Sequence, residues 1–149
     1  MERAFSLCVI MGSAMFSCSQ NVPPADIPSL VINTFQERFV DAVDIEWRKI
    51  NGSFEAEFEI ENMDHAVKID SSGKILIYMH EISSKELPEV IVTEINSGLQ
   101  EYKLDEIDRI EAGGKIYYRL ELEGNGAELT RLYTAEGKED RNIKIELNN

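Results

Sequence analysis

Residues 27–35 read Ile27-Pro28-Ser29-Leu30-Val31-Ile32-Asn33-Thr34-Phe35, and sixty positions later the chain reads Leu87-Pro88-Glu89-Val90-Ile91-Val92-Thr93-Glu94-Ile95. Apolar character coincides at Ile27/Leu87, Leu30/Val90, Val31/Ile91, Ile32/Val92 and Phe35/Ile95, and Phe39/Leu99 extends the match. Ile27, Val31, Phe35 and Phe39 fall on one stripe of a helix, as do Leu87, Ile91, Ile95 and Leu99. Pro28 and Pro88 suit a first helical turn, where a missing N–H costs nothing. Helices of about three turns are marginal alone in water, so each must pack on something.

The following residues supply that surface. Phe54, Ala56, Phe58 and Ile60 alternate with Glu55, Glu57, Glu59 and Glu61, which predicts a half-buried strand with a solvated glutamate face. Sixty-two positions on, Ile116, Tyr118, Leu120 and Leu122 alternate with Tyr117, Arg119, Glu121 and Glu123. Weaker strands precede over 43–50 and 104–110, with the hairpin dipeptides Asn51-Gly52 and Gly113-Gly114 between. Two further strands close each copy. They are 65–70 and 74–82, joined by Ser71-Ser72-Gly73, then 127–134 and 139–147, joined by Ala135-Glu136-Gly137. Gly73 and Gly137, each followed by Lys, stand 64 apart and supply positive φ. The offset grows from 60 to 62 to 64, as two-residue turn insertions would make it.

The pattern predicts an α+β fold of two tandem α-β-β-β-β repeats, 27–82 and 83–147. Each is an antiparallel meander with its helix packed on one apolar face. The pattern is compatible with one eight-stranded sheet or with two packed lobes. In both, the helix-free sheet face is the expected binding surface.

The N-terminus reads differently. Arg3 gives a short basic start, and Ala4 to Phe16 carry no charge. That run has the length of a signal-peptide core and is too short to span a membrane. Residues 1–17 are expected to be an export signal. The two cysteines, Cys8 and Cys18, both lie at this end, so a disulfide framework in the folded part is excluded. Cys18 after Met15-Phe16-Ser17 resembles a bacterial lipobox, although Phe16 is bulky for that pattern. Lipidation at Cys18 and ordinary cleavage near residues 17–20 are the two alternatives. Residues 18–26, with Pro23-Pro24, are expected to form a tether. The destination is the periplasm or a membrane-anchored lipoprotein, with membrane contact only through the lipid.

Of 149 residues 28 are acidic and 15 basic, giving a net charge of −13, which argues against nucleic-acid binding. No Gly-rich phosphate loop, serine nucleophile elbow or metalloprotease helix occurs in the sequence. No catalytic residue, cofactor or metal is therefore assigned, and the chain is read as non-enzymatic. His65 and His80 lie on successive strands but lack a ligand set for zinc. Asp70-Ser71-Ser72-Gly73 reads as a turn and lacks the ligand pattern of a calcium loop. Glutamates two apart on one strand stand about 6.6 Å apart, too far for a rigid ion cage. Trp47, Tyr78 and Tyr117 are the candidate protein-contact residues, Tyr117 and Tyr78 as surface aromatics and Trp47 as core or anchor.

The Pro-headed helix starts (Ile27-Pro28-x-x-Val31 and Leu87-Pro88-x-x-Ile91), the alternating strands and the late turns 70–74 and 134–138 resemble the PepSY-like, β-lactamase-inhibitor-protein-like family of exported bacterial proteins. The resemblance spans about residues 26–147. It implies a tandem helix-plus-sheet fold that binds a protein or peptide, with a regulatory or inhibitory role. No inhibitory loop carries over, because the turns at 51–52 and 113–114 are short. The other class in view is a structural or sensing lipoprotein that binds a cation or small ligand, motivated by the charge and the glutamate stripe.

Overall fold

The computed structural model describes residues 20–124 and 126–141. The expected export signal, Cys18 and the end of the strand expected over 139–147 lie outside the described residues. The described strands form one antiparallel sheet in chain order: β1 (Gln20–Asn21), β2 (Val43–Ile50), β3 (Ser53–Ile60), β4 (Met63–Asp70), β5 (Ile75–Glu81), β6 (Lys103–Ala112), β7 (Lys115–Gly124) and β8 (Ala127–Thr134). Helix α1 (Ser29–Arg38) precedes β2, and α2 (Glu89–Gly98) intervenes between β5 and β6. β5 nevertheless pairs directly with β6, from Ile77↔Ala112 to Glu81↔Asp108. The sheet is therefore continuous.

Both helices begin at their prolines. The Pro28 carbonyl accepts from Val31 N (2.9 Å) and Ile32 N (3.1 Å), and the Pro88 carbonyl does the same for Ile91 (2.9 Å) and Val92 (3.2 Å). The helical stripes then find their cores. Ile27, Val31, Phe35 and Phe39 pack with Trp47, Phe54, Ala56, Phe58, Val67 and Ile69. Leu87 and Ile91 pack with Ile82, Ile107, Tyr118, Leu120, Leu122 and Tyr133. Burying one such apolar side chain contributes roughly 1.5–3 kcal/mol, which is what holds these short helices down.

The hairpin dipeptides behave as their types require. Asn51 and Gly52 have φ of 49° and 82°, and Gly113 and Gly114 have 57° and 74°, the double left-handed turn that suits twisted strands. A third such turn, Glu61-Asn62 (φ 55° and 61°), links β3 to β4. It removes Glu61 from its strand and starts β4 at Met63 instead of His65.

The expected tether is docked from residue 20 onward. Gln20 and Asn21 pair with Lys49 and Arg48, and Val22 N donates to the Trp47 carbonyl (3.0 Å). Val22 is apolar and packs on the first core, so an extended spacer is the wrong description. A 3-10 turn, Pro24–Asp26, leads into α1, and its counterpart Ser84–Glu86 leads into α2. In the second, Ser83 N and Oγ both donate to Glu86 Oε2, at 2.9 and 3.0 Å, as in a capping box. At the far edge residues 138–140 turn back on β8. Thr134 N donates to the Lys138 carbonyl (2.9 Å) and Asp140 N to that of Leu132 (2.8 Å).

Candidate binding surface

Side chains opposite one another in an antiparallel sheet share a face. The register therefore places Glu46, Glu57, Ala66, Met79, Ile110, Tyr117 and Thr134 in one row across β2 to β8, on the face without helices. The row is acidic at the β2 end and apolar beyond it. Beside it runs a second row, Glu81, Asp108, Arg119 and Leu132.

Between these rows lies a hollow of ≈ 400 Å³. Seven acids line it (Asp44, Glu46, Glu57, Glu59, Asp64, Glu106 and Asp108), and Arg119 is its single lining cation. Two irregularities shape that lining. β2 shifts register between Val43 and Glu46, with Asp44 at φ 51°, and β6 shifts between Leu104 and Glu106. Such bulges bend a strand and re-aim its side chains.

Arg119 is heavily engaged. Its Nη2 and Nε lie 2.8 and 2.9 Å from Oδ2 of the buried Asp108, with Glu106 at 3.9 Å and Glu121 at 4.0 Å. One guanidinium does not balance this crowd. Burial raises the pKa of Glu106, and the charges of Asp108 and Glu121 add to the rise, against the opposing pull of Arg119. The hollow carries excess negative charge and suits a cation-bearing partner.

The sequence-derived candidates fall as follows. Trp47 is 6% exposed and stands edge-on to Phe35 at 5.1 Å, so it is core and cannot anchor a partner at the surface. Tyr78 is half-buried on the helix side of the sheet, against Phe39 at 5.0 Å. Tyr117 does lie on the helix-free face but is only 6% exposed, which corrects its reading as a surface aromatic. Ile110 and Thr134 flank it in register. The three residues therefore form no common contact surface.

The glutamate stripe needs a similar correction. Glu57 is exposed, but Glu55 is 1% exposed. Glu55 sits in register between Arg48 and Lys68, with Arg48 Nη2 3.8 Å away, and neither of its carboxylate oxygens accepts a hydrogen bond. Burial raises its pKa, partly offset by the two cations. Arg48 also pairs with Glu57.

The histidines meet on the helix side. Their rings stack at 5.4 Å, His65 Nδ1 lies 2.9 Å from the Tyr78 hydroxyl, and the buried His80 Nδ1 has no partner. Burial lowers both pKa values. Among the described residues no three His, Cys, Asp or Glu side chains are grouped to hold a metal ion. Asp70 closes its own turn, accepting from Ser72 N (2.9 Å), Ser72 Oγ (2.6 Å) and Lys74 N (3.0 Å). The convergence of Asp44, Glu106, Asp108 and Arg119 was not foreseen. Its only sequence signal is the acidic stretch 105–108, whose placement beside β2's acids depends on strand pairing.

No protein-family model matches the sequence, and no curated protein sequence matches it. The fold is similar to several solved structures. A DUF2874 family protein from Bacteroides uniformis superposes with a TM-score of 0.68 at 13% identity, over 76% of this chain and 86% of that one. A BLIP-like protein from Bacteroides fragilis gives 0.64 at 16% identity, over 82% and 89%. A protein from Bacteroides eggerthii, assigned to the periplasm by inference, gives 0.70 at 12% identity, over 77% and 86%. The chain therefore has the BLIP-like α+β fold, an antiparallel meander with two helices.

Proposed function

We propose that this chain is a non-catalytic module of the bacterial cell envelope that binds a cation-bearing protein or peptide segment on its helix-free sheet face. The observation that carries the proposal is the hollow in which seven acids face one arginine. Charge of one sign at a concave surface steers and selects an oppositely charged partner. The apolar row that continues from it is largely buried, with Ala66 7%, Ile110 1% and Tyr117 6% exposed, so the charges carry the contact. Export rests on the N-terminal signal and on the periplasmic assignment of the B. eggerthii structure. Lipidation at Cys18 belongs to the same proposal, as does a two-copy origin. Both 3-10 turns, both Pro-headed helices and both helix-docked glycine turns support two copies of one unit, akin to PepSY modules.

The test is capture from native envelope by the full chain and by a Glu46→Lys/Glu106→Lys variant. The full chain should retain basic proteins that the variant loses, and rising salt should release them. Identical captured sets would sink the proposal. A structural or sensing role with a bound cation gains one point from the raised pKa of Glu106, which a bound cation would reverse. An unchanged melting temperature in millimolar Ca²⁺ would count against it.

A further inference from the structure

On the helix side, beside the C-terminal end of α1, the sheet carries a second hollow of ≈ 440 Å³, a size typical of small-ligand sites. Its floor is apolar: Ile75, Leu76, Tyr78 and Ile116. Leu76 is there because β5 bulges. Lys68 pairs with Ile77 and Ile69 with Ile75, which leaves Leu76 opposite no residue. One wall is the Gly113-Gly114 turn, where a Cβ on either residue would meet nothing within 4 Å, so bare backbone faces the opening.

The charges reverse those of the open face. Arg38, Arg109 and Lys115 stand against one acid, Glu111, and Arg109 already pairs with Glu111. Arg38 is the one arginine among the described residues outside every ion pair, in a chain with 28 acids. A cation in the last turn of α1 also complements the helix dipole. That accounts for Arg38; Lys115, which comes from β7 and also acts on the charge of Glu136, lines the same hollow.

We infer that this notch takes the free carboxylate of a peptide C-terminus whose last side chain is apolar. The carboxylate would be met by Arg38 and Lys115, the apolar side chain by the Ile75–Leu76–Ile116 floor, and the peptide backbone by the bare glycine turn. A hydrocarbon tail could not use that turn. The site is separate from the acidic hollow and stands or falls without it.

Calorimetric titration of the full chain with acetyl-Ala-Ala-Leu, its C-terminal amide and octanoate tests the inference. The free acid should bind, and the amide should bind roughly tenfold more weakly or worse. Arg38→Gln and Lys115→Gln should each weaken the acid by roughly tenfold, and Arg38→Lys should recover most of the loss. Lys115 is exposed, so its variant should keep the melting temperature and separate lost binding from lost fold. Equal binding of acid and amide would overturn the inference. So would no binding at millimolar peptide, or octanoate competing at equal affinity.

Discussion

Under α1 the core is built from rings. Phe35 lies 5.1 Å from Trp47, 4.9 Å from Phe58 and 5.3 Å from Phe39, and Phe39 lies 4.8 Å from Phe58. Under α2 the corresponding core is mainly aliphatic, with Ile91, Ile107, Leu120 and Leu122 nearly or wholly buried and Tyr118 and Tyr133 as its rings. One pattern of apolar positions is thus filled by two chemistries, and the same helix-on-sheet arrangement results. Pattern and volume select a fold more strongly than residue identity does. Identity decides what else a half can do. The ring cluster continues through Tyr78 and Phe58 to His65 and His80, so the first half alone carries imidazoles.

The largest test of that contrast is truncation of each core. Phe58→Ala removes a ring packed on Phe35, Phe39 and His65 and should cost about 4 kcal/mol. Leu120→Ala, fully buried in the second core, should cost about 3 kcal/mol. Because β5 pairs with β6, both variants should unfold in one transition during chemical denaturation followed by circular dichroism. A second transition in either variant would show that the halves are independent, against the continuous sheet.

A smaller contrast lies in the two glycine turns that dock on the helices. At Gly73 (φ 86°) a Cβ would stand 3.0 Å from both the Leu30 carbonyl oxygen and Thr34 Oγ1, and that hydroxyl donates to the Gly73 carbonyl at 2.9 Å. At Gly137 (φ 81°) a Cβ would meet Val90 Cγ2 at 2.6 Å. Val90 is 43% exposed and its side chain can turn away, whereas the Leu30 backbone cannot. Gly73→Ala should therefore cost about 2 kcal/mol and Gly137→Ala about 1 kcal/mol, measured by thermal melts. Equal losses would mean that the left-handed backbone alone sets the cost.

Glu55 and Tyr117 offer a third comparison, since they occupy matching strand positions 62 residues apart and both are buried on the helix-free face. One is a carboxylate without hydrogen bonds and the other a ring. With its pKa raised in the fold, Glu55 adds stability below the unfolded value, near 4.5, and loses that contribution as pH rises through the folded value. Ionising Glu55 within the fold is thus unfavourable. Glu55→Gln should stabilise the chain by about 1 kcal/mol at pH 7 and by less near pH 4, read from urea midpoints. A destabilised variant would show instead that Arg48 and Lys68 outweigh the burial.

What could be read from the sequence follows from the range of each signal. The helical stripes, the strands 43–50 and 53–60, and the turns at 51–52 and 113–114 are local, and their periods or glycines suffice. The joining of β5 to β6 across α2 is not local, and no period marks it. The bulges at Asp44 and Leu76 are single extra residues that alternation cannot register, yet they shape the floor of one hollow and the rim of the other. Glu55 and Tyr117 read as exposed because alternation assigns a face and cannot say how deeply a residue on that face is buried. Most of the fold was therefore legible, whereas the candidate sites, which depend on which strands meet, were not.

The pH response should belong to the first half. His65 and His80 stack on one another, with Tyr78 beside them on β5, Arg109 and Glu111 on β6, Asp64 on β4 and Glu86 before α2 as the charged or titratable neighbours. Burial is the largest cause of lowering at both. At His80 the charges of His65 and Arg109 lower it further, while Glu111 and Glu86 act the other way. A histidine whose folded pKa is lowered takes up its proton more readily in the unfolded chain. The histidine contribution to stability should be constant above the unfolded value, near 6.5, and should fall as pH drops through it toward the folded values. His80→Phe keeps a ring against His65 and Tyr78 but cannot be protonated. It should flatten the decline in melting temperature between about pH 7 and pH 5.5, above the range where ordinary carboxylates titrate. If the decline survives both this change and His65→Phe, the histidine stack is not its source.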